Sequence, residues 1–210
     1  MASDQGLASA TDKQLACQAQ RGCQASFEQL LRRYQTPLLG FLRRQGPAAD
    51  AEDLLQETFL RAYEKLDAYL PRWAFSTWLF TIARRTSINH HRRARLDAEA
   101  AGVENAVASG MEPIDELVIA EDRRRLWDVA GEVLSEEQVT ALWLHYVEEM
   151  PVGEIGLVLG RSRGSVKTML FRARQRLMPI LGEFDEGGRQ GGDANAPGRH
   201  GDKATEYVYE

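Results

Sequence analysis

Pro151–Leu177 reads PVGEIGLVLGRSRGSVKTMLFRARQRL, and this stretch decides the fold. Ile155, Val158 and Leu159 fall at helical spacing and predict the inward face of a short helix, about Pro151–Gly160, with proline at a favoured first position. Gly160 suits the left-handed residue that ends such a helix. Ser162 is a good cap for a second helix, which runs to about Leu181. Val166, Leu170, Ala173 and Leu177 give that helix its inward stripe, leaving Arg163, Lys167 and Arg174 outward, with Thr168 and Arg172 nearby. A short helix, a glycine turn and a second helix with one apolar and one basic face make a helix-turn-helix. The first turn of its second helix enters the major groove of DNA, so Arg163, Ser165 and Lys167 are the candidate contacts to bases or phosphates. The backbone N–H groups of Ser162–Ser165 can hold a phosphate. An amphipathic hairpin with a solvated basic face is the plainer alternative.

Upstream, helical periodicity dominates and strand alternation is hard to find. Thr11 or Asp12 can cap a helix over about Lys13–Arg21. Phe27, Leu30, Leu31, Tyr34, Leu38, Leu39, Phe41 and Leu42 predict a helix over about Gln24–Arg44, bent at Pro37 and stopped by Gln45-Gly46-Pro47. Asp50 caps the next, about Ala51–Leu66, whose buried stripe is Leu54, Leu55, Phe59, Tyr63 and Leu66. A loop over Asp67–Phe75 precedes a fourth helix that starts at Ser76 or Thr77 and ends in the basic stretch at Arg95. Trp78, Leu79, Ile82 and Phe75 belong to its core side. Four helices with short connections suit a compact bundle. After an Ala/Gly/Glu-rich stretch, helices resume over about Pro113–Leu134 and, behind a capping box at Ser135 and Gln138, over about Glu136–Glu148. The expected architecture is all-α: residues 1–95 form one small helical module, 96–112 an acidic flexible linker, 113–182 a second module, and 183–210 a disordered tail.

The net charge of −5 hides segregation. Phe27–Arg95 carries 12 Arg/Lys against 7 Asp/Glu, a net of +5. Asp97–Asp122 has 8 acids and no base, and Val152–Leu181 has 6 bases and 1 acid. Two basic blocks held apart by an acidic strip fit two polyanion-binding modules on one chain. In the first block, Arg84, Arg85, His90, His91, Arg92, Arg93 and Arg95 crowd one helix end, with Tyr69 and Trp73 in the loop upstream. Rings for stacking beside cations for the backbone are what an unstacked single strand needs. Asp50, Glu52, Asp53, Gln56, Glu57 and Glu64 make an acidic, amide-rich helix surface, either solvated or a dock for a basic partner. Modules of this size bury little core and lean on a partner.

Other chemistries find little support. Cys17 and Cys23 lack zinc-ligand spacing. His90 and His91 are adjacent on a helix and should point about 100° apart, so no metal is expected. No cofactor, small-molecule substrate or catalytic group suggests itself, and a non-enzymatic protein is expected. There is no apolar run of 18 residues, and the N-terminus lacks the basic stretch and apolar core of a signal peptide, so the protein is expected to be cytoplasmic.

Taken in order, AEDLLQETFLRAYEKL (51–66), FSTWLFTIARRTSINHHRR (75–93) and LSEEQVTALWLHYVEEMPVGEIGLVLGRSRGSVKTMLFRARQRL (134–177) resemble regions two and four of the extracytoplasmic-function (ECF, group IV) sigma factors of the sigma-70 family. The resemblance implies an initiation factor that binds core RNA polymerase and directs promoter recognition and melting. It implies that Asp53, Gln56, Glu57 and Leu60 dock on the β′ clamp helices, and that the second module meets the β flap. Tyr69, Trp73, Ser76, Arg84, Arg85, Asn89, Arg92 and Arg93 would face minus-ten DNA, and the Asp67–Phe75 loop would capture a flipped base. Arg161, Ser162, Arg163, Ser165, Lys167, Thr168, Arg172 and Arg174 would read the minus-thirty-five element. An anti-sigma factor is an implied partner. Arg85 stands where the family often has asparagine and Asn89 where it often has aspartate. Met150-Pro151-Val152-Gly153 replaces a serine-led entry to the helix-turn-helix. Two competitors remain: a polymerase-independent helix-turn-helix regulator with an N-terminal sensing or dimerisation domain, and a recombinase-like enzyme, for which no nucleophile or carboxylate cluster is convincing.

Overall fold

A computed structural model describes residues 2–100 and 119–188, with side chains over 6–100 and 126–179. All regular structure there is helical. The first group comprises α1 (Ala2–Ser9), α2 (Asp12–Gln20), α3 (Gln24–Leu42), α4 (Ala51–Glu64) and α5 (Phe75–Ala100). The second comprises α6 (Ile119–Val133), α7 (Glu136–Tyr146), α8 (Val152–Leu159) and α9 (Arg163–Gly188).

Thr11 caps α2 in a capping box with Gln14. Asp12 is thereby free to tie α2 to α3, accepting from Arg33 at 2.6 Å and from the Tyr34 hydroxyl at 2.5 Å. Burial, and then the Asp12 carboxylate, push the Tyr34 phenol up. α3 continues through Pro37. Leu30, Leu38, Phe41 and Leu42 of α3 meet Leu54 of α4 and Leu79 and Phe80 of α5 in one core, where the Phe41 and Phe80 rings pack edge to face at 5.0 Å.

Several expectations need correction. Asp50 occupies the N-cap position of α4 without making a side-chain capping bond, because its carboxylate turns to His90 instead. Tyr63 is exposed, its ring edge against Phe27, so the buried stripe of α4 is Leu54, Leu55, Thr58 and Ala62, with Phe59 only half-buried. Trp78 and Ile82 are half-buried and pack against the core, on the side their spacing predicts. α5 runs past Arg95 to Ala100, into the stretch read as linker. Leu96, Ala98, Glu99 and Ala100 favour helix there, and Arg95 pairs with Glu99 one turn on at 3.3 Å. The rest of that linker reading, together with 113–118 of the following helix, lies outside the described residues. α9 continues past Pro179 and Gly182 to Gly188, so the first six residues of the expected disordered tail are helical. Glu183-Phe184-Asp185-Glu186 is compatible with helix, and the remainder of the tail lies outside the described residues.

The two groups of helices pack on each other through α5 and α8 and through the end of α3. The Arg44 guanidinium lies 3.6 Å from the Trp143 ring centroid and 5.5 Å from that of Trp127. Burial lowers its pKa to about 10, so the charge persists at neutral pH. Gly40 faces Trp143 at contact distance, and buried Gln45 donates to Thr140 Oγ1 at 2.9 Å.

In the helix-turn-helix the turn is closed by Arg161 N donating to Gly156 O at 2.8 Å, with Gly160 at φ +66°. A Cβ on Gly156 would stand 2.7 Å from the Arg161 carbonyl oxygen. Gly156→Ala should therefore destabilise the chain by about 1–3 kcal/mol, read as a lower urea midpoint at unchanged slope.

Candidate nucleic-acid interface

α8 and α9 set the first surface. Ile155, Val158, Leu159, Val166, Leu170, Ala173 and Leu177 are all buried, as their spacing requires. Arg161, Ser162, Arg163, Ser165, Lys167, Thr168, Arg172 and Arg174 are all exposed. Ser162 Oγ accepts from Ser165 N at 3.2 Å, which fixes the first turn of α9. Arg174 donates to the Tyr146 hydroxyl at 3.2 Å, and Thr168 bonds back to the Gly164 carbonyl. Among the described residues Arg163, Lys167 and Arg172 carry no ion pair, so their charge is available to an anion.

The second surface lies along α5. Arg85, Arg92 and Arg93 are exposed, and Ser76 and Asn89 are partly so. Trp73 stands 41% exposed at the loop tip, with the Arg72 guanidinium 5.8 Å from its ring. Tyr69 is different. It is 2% exposed, with its ring against Phe75 and Trp78 at 5.5 Å each. Its hydroxyl donates to the Trp73 carbonyl at 3.0 Å, and Gln20 Nε2 on α2 donates at 2.9 Å to both the Leu66 and Tyr69 carbonyls. Tyr69 is thus a buried strut that shapes the loop. It is removed from the DNA-facing set, because packing against α5 leaves it no free ring face. Desolvation raises its phenol pKa.

Under this loop, between α4 and α5, is a cavity of about 230 Å³ lined by Arg61, Lys65, Ala68, Trp78, Thr81, Ile82, Arg85 and Thr86. Its walls are mainly apolar, three cations stand on it, and the buried Thr86 Oγ1 has no hydrogen-bond partner. Sequence reading missed Arg61, Lys65 and Thr86. The i, i+4 spacing of Arg61 and the C-cap Lys65 at the end of α4, and the position of Thr86 on α5, give no hint that a concavity separates the two helices.

On α4, Asp53 and Gln56 are exposed, Leu60 is 59% exposed, and Glu57 accepts from Arg61 at 2.5 Å. Acidic, amide and apolar groups therefore share one open face. The His90 and His91 ring centroids are 5.4 Å apart, with their planes at 86°.

Arg84 and Arg161, one from each surface, converge on a single carboxylate. Arg84 approaches Glu137 at 3.4 Å and Arg161 donates to both its oxygens at 3.0–3.1 Å. Thr77 of α5 also bonds Glu154 of α8.

Comparison with known proteins places this geometry. Sigma-70 region 2 matches residues 30–96, and Sigma-70 region 4 matches 127–177. The chain is 30% identical over 176 residues to the ECF RNA polymerase sigma-E factor of Salmonella typhimurium, covering 80% of this chain and 92% of that one. The chain belongs to the ECF sigma factors of the sigma-70 family. To the ECF RNA polymerase sigma factor SigW of Bacillus subtilis this sigma factor is 33% identical over 175 residues, 78% of this chain and 93% of that one. It is similar to CnrH, solved in complex with the cytosolic domain of CnrY, at a TM-score of 0.59 and 27% identity over 82% of this chain and 97% of that one. The fold is also that of RpoE from Bartonella quintana, solved in complex with the anti-sigma factor NepR, at a TM-score of 0.63 and 24% identity over 74% of this chain and 96% of that one. Within this sigma factor's described helices, none is long and apolar enough to cross a membrane.

The Gln20 strap is testable. Gln20→Ala takes the side-chain donor from the part-buried Tyr69 carbonyl, while the Leu66 carbonyl keeps Tyr69 N, and should cost about 1–3 kcal/mol, read as a lower denaturant midpoint. It should also loosen the loop, read as faster anisotropy decay of Trp73 in a chain whose other tryptophans are phenylalanine.

Proposed function

We propose that this ECF sigma factor places two promoter-reading modules, residues 1–95 and 113–182, on core RNA polymerase and acts without chemistry of its own, in the cytoplasm. The reading is carried by one observation: both matched sigma regions present an exposed cationic helix face. Arg163, Ser165 and Lys167, with Arg161, Ser162, Thr168, Arg172 and Arg174 around them, read the minus-thirty-five element from the major groove. Arg85, Asn89, Arg92 and Arg93, with Arg84, Ser76 and Trp73, track minus-ten DNA. The cavity between α4 and α5 takes a flipped base, its apolar walls stacking the ring and its three cations facing the backbone. Asp53, Gln56, Glu57 and Leu60 dock on the β′ clamp helices, and the second module meets the β flap. An anti-sigma factor is the proposed antagonist.

The compact arrangement is then a resting form. The names of the two elements put them about 25 base pairs apart, roughly 85 Å at about 3.4 Å per pair. A compact chain of this length measures only about 45 Å across. Arg84 and Arg161 cannot share Glu137 and also serve both elements. Core polymerase must part the modules, and docking supplies the free energy to do so.

The deciding experiment is reconstitution. Core enzyme plus this protein should start transcripts at a cognate promoter, and no gain over core would refute the proposal. Arg163→Ala and Lys167→Ala should each weaken duplex binding, by about 1–3 kcal/mol where a base contact is lost, or lower the salt slope by about 1 where a phosphate contact is lost. Unchanged promoter output in both would remove α9 as the reader. Glu57→Lys should impair binding to core in a pull-down while the chain's helical circular dichroism stays intact. A polymerase-independent regulator would instead shift palindromic duplex DNA without core, and Glu57→Lys would leave its activity untouched.

A further inference from the structure

The entry of α4 and the second half of α5 bring together three groups that the promoter reading does not use. Asp50, His90 and His91 each offer one ligand atom, and these atoms all lie within 4.8 Å of one another. Nε2 of His90 is 3.3 Å from Oδ2 of Asp50. That distance is the edge of a tetrahedron with arms of about 2.0 Å, the length of zinc–nitrogen and zinc–carboxylate bonds. The His90 and His91 rings stand nearly perpendicular, at 86°, so they do not stack on one another.

Three local features favour a bound ion over a simple ion pair. Asp50 sits where a side chain normally caps a helix, yet makes no capping bond and reaches across to α5. His91 Nε2 is shut off from solvent without a hydrogen-bond partner, which a buried imidazole nitrogen rarely tolerates. Gly46 leaves the space that this ring occupies: a Cβ there would stand 2.1 Å from His91 Nε2.

We infer that Asp50, His90 and His91 bind one divalent cation of the zinc class, which staples the start of α4 to α5 just ahead of Arg92 and Arg93. Two imidazoles and one carboxylate suit zinc or nickel and are a poor set for calcium or magnesium, which take oxygen ligands. Along the His90–Asp50 edge no movement is needed, and the third ligand atom must close by at most about 1.5 Å from the 4.8 Å limit. The His90 and Asp50 side chains are 36% and 37% exposed, which leaves the fourth position to water. The ion adds local positive charge beside Arg92 and Arg93, offset in part by Asp50. The site stands whether or not the promoter roles above hold, since no DNA contact enters the argument.

The test uses the full chain, stripped with a chelator and titrated with zinc sulfate by calorimetry, with a thermal melt in parallel. One equivalent should bind and raise Tm. Asp50→Asn and His91→Gln should each weaken binding at least tenfold, and Gly46→Ala should weaken it without removing a ligand. Replacing Cys17 and Cys23 by serine, or His200 by glutamine, should leave binding unchanged. Where a variant unfolds, the histidine ring signals of the unaltered chain provide the second readout: zinc should shift those of His90 and His91 and spare His145. Absence of binding, binding indifferent to Asp50→Asn and His91→Gln, or ring signals of His90 and His91 unmoved by zinc would overturn the inference.

Discussion

The Arg44 guanidinium against the face of Trp143 is the contact on which the described arrangement turns. Each group of helices is small, and a small module buries too little apolar surface to be robust by itself. Here each completes its core against the other. Trp127 and Trp143 pack edge to face at 5.1 Å, Gly40 permits close approach, and the Gln45–Thr140 bond satisfies two polar groups inside the seam. The cation also sets a limit on stability. Burial works against its charge, so the seam is held by a group that water would readily take back. A joint of that kind suits modules that must separate without either one unfolding.

Electrostatics follows the same division. Each basic face would repel the other if brought close without a counter-charge. Glu137 supplies that counter-charge at the point where Arg84 and Arg161 meet. Its three-way contact is partly exposed and so contributes modestly to stability. Its greater effect is geometric, because it occupies one arginine from each basic surface at the same time. DNA phosphates offer both arginines a stronger set of acceptors, and exchange of one partner for the other needs no new charge anywhere in the chain.

How much of this was legible in the sequence depends on range. The helix-turn-helix was readable because all its determinants are local: apolar residues at helical spacing, Gly160 at the turn, Ser162 at the cap. The Ser135–Gln138 capping box was readable for the same reason. Tyr69 was misplaced because its burial comes from α2 and α5, neither of which its neighbours in sequence specify. The cavity needs α4 and α5 placed side by side before Thr86 and Arg61 can be seen to share it. His90 and Asp50 are 40 residues apart, and no periodicity links them. At Leu96–Ala100 small and acidic residues read as a linker, yet their helix propensity, a local property, extends α5 instead. The small size of each module points to a partner, but nothing local in the sequence says that the other module packs against it.

The seam around Arg44 and Glu137 should be closed in the free chain and part on polymerase. Distance between the modules measures it directly. With Cys17 and Cys23 replaced by serine, dyes on cysteines introduced at the exposed positions Ala94 and Gln175 report that distance by energy transfer. Efficiency should be high in the free protein, fall when core enzyme is added, and remain low once promoter DNA joins. Efficiency that is the same with and without core, at concentrations where core is bound, would contradict the account.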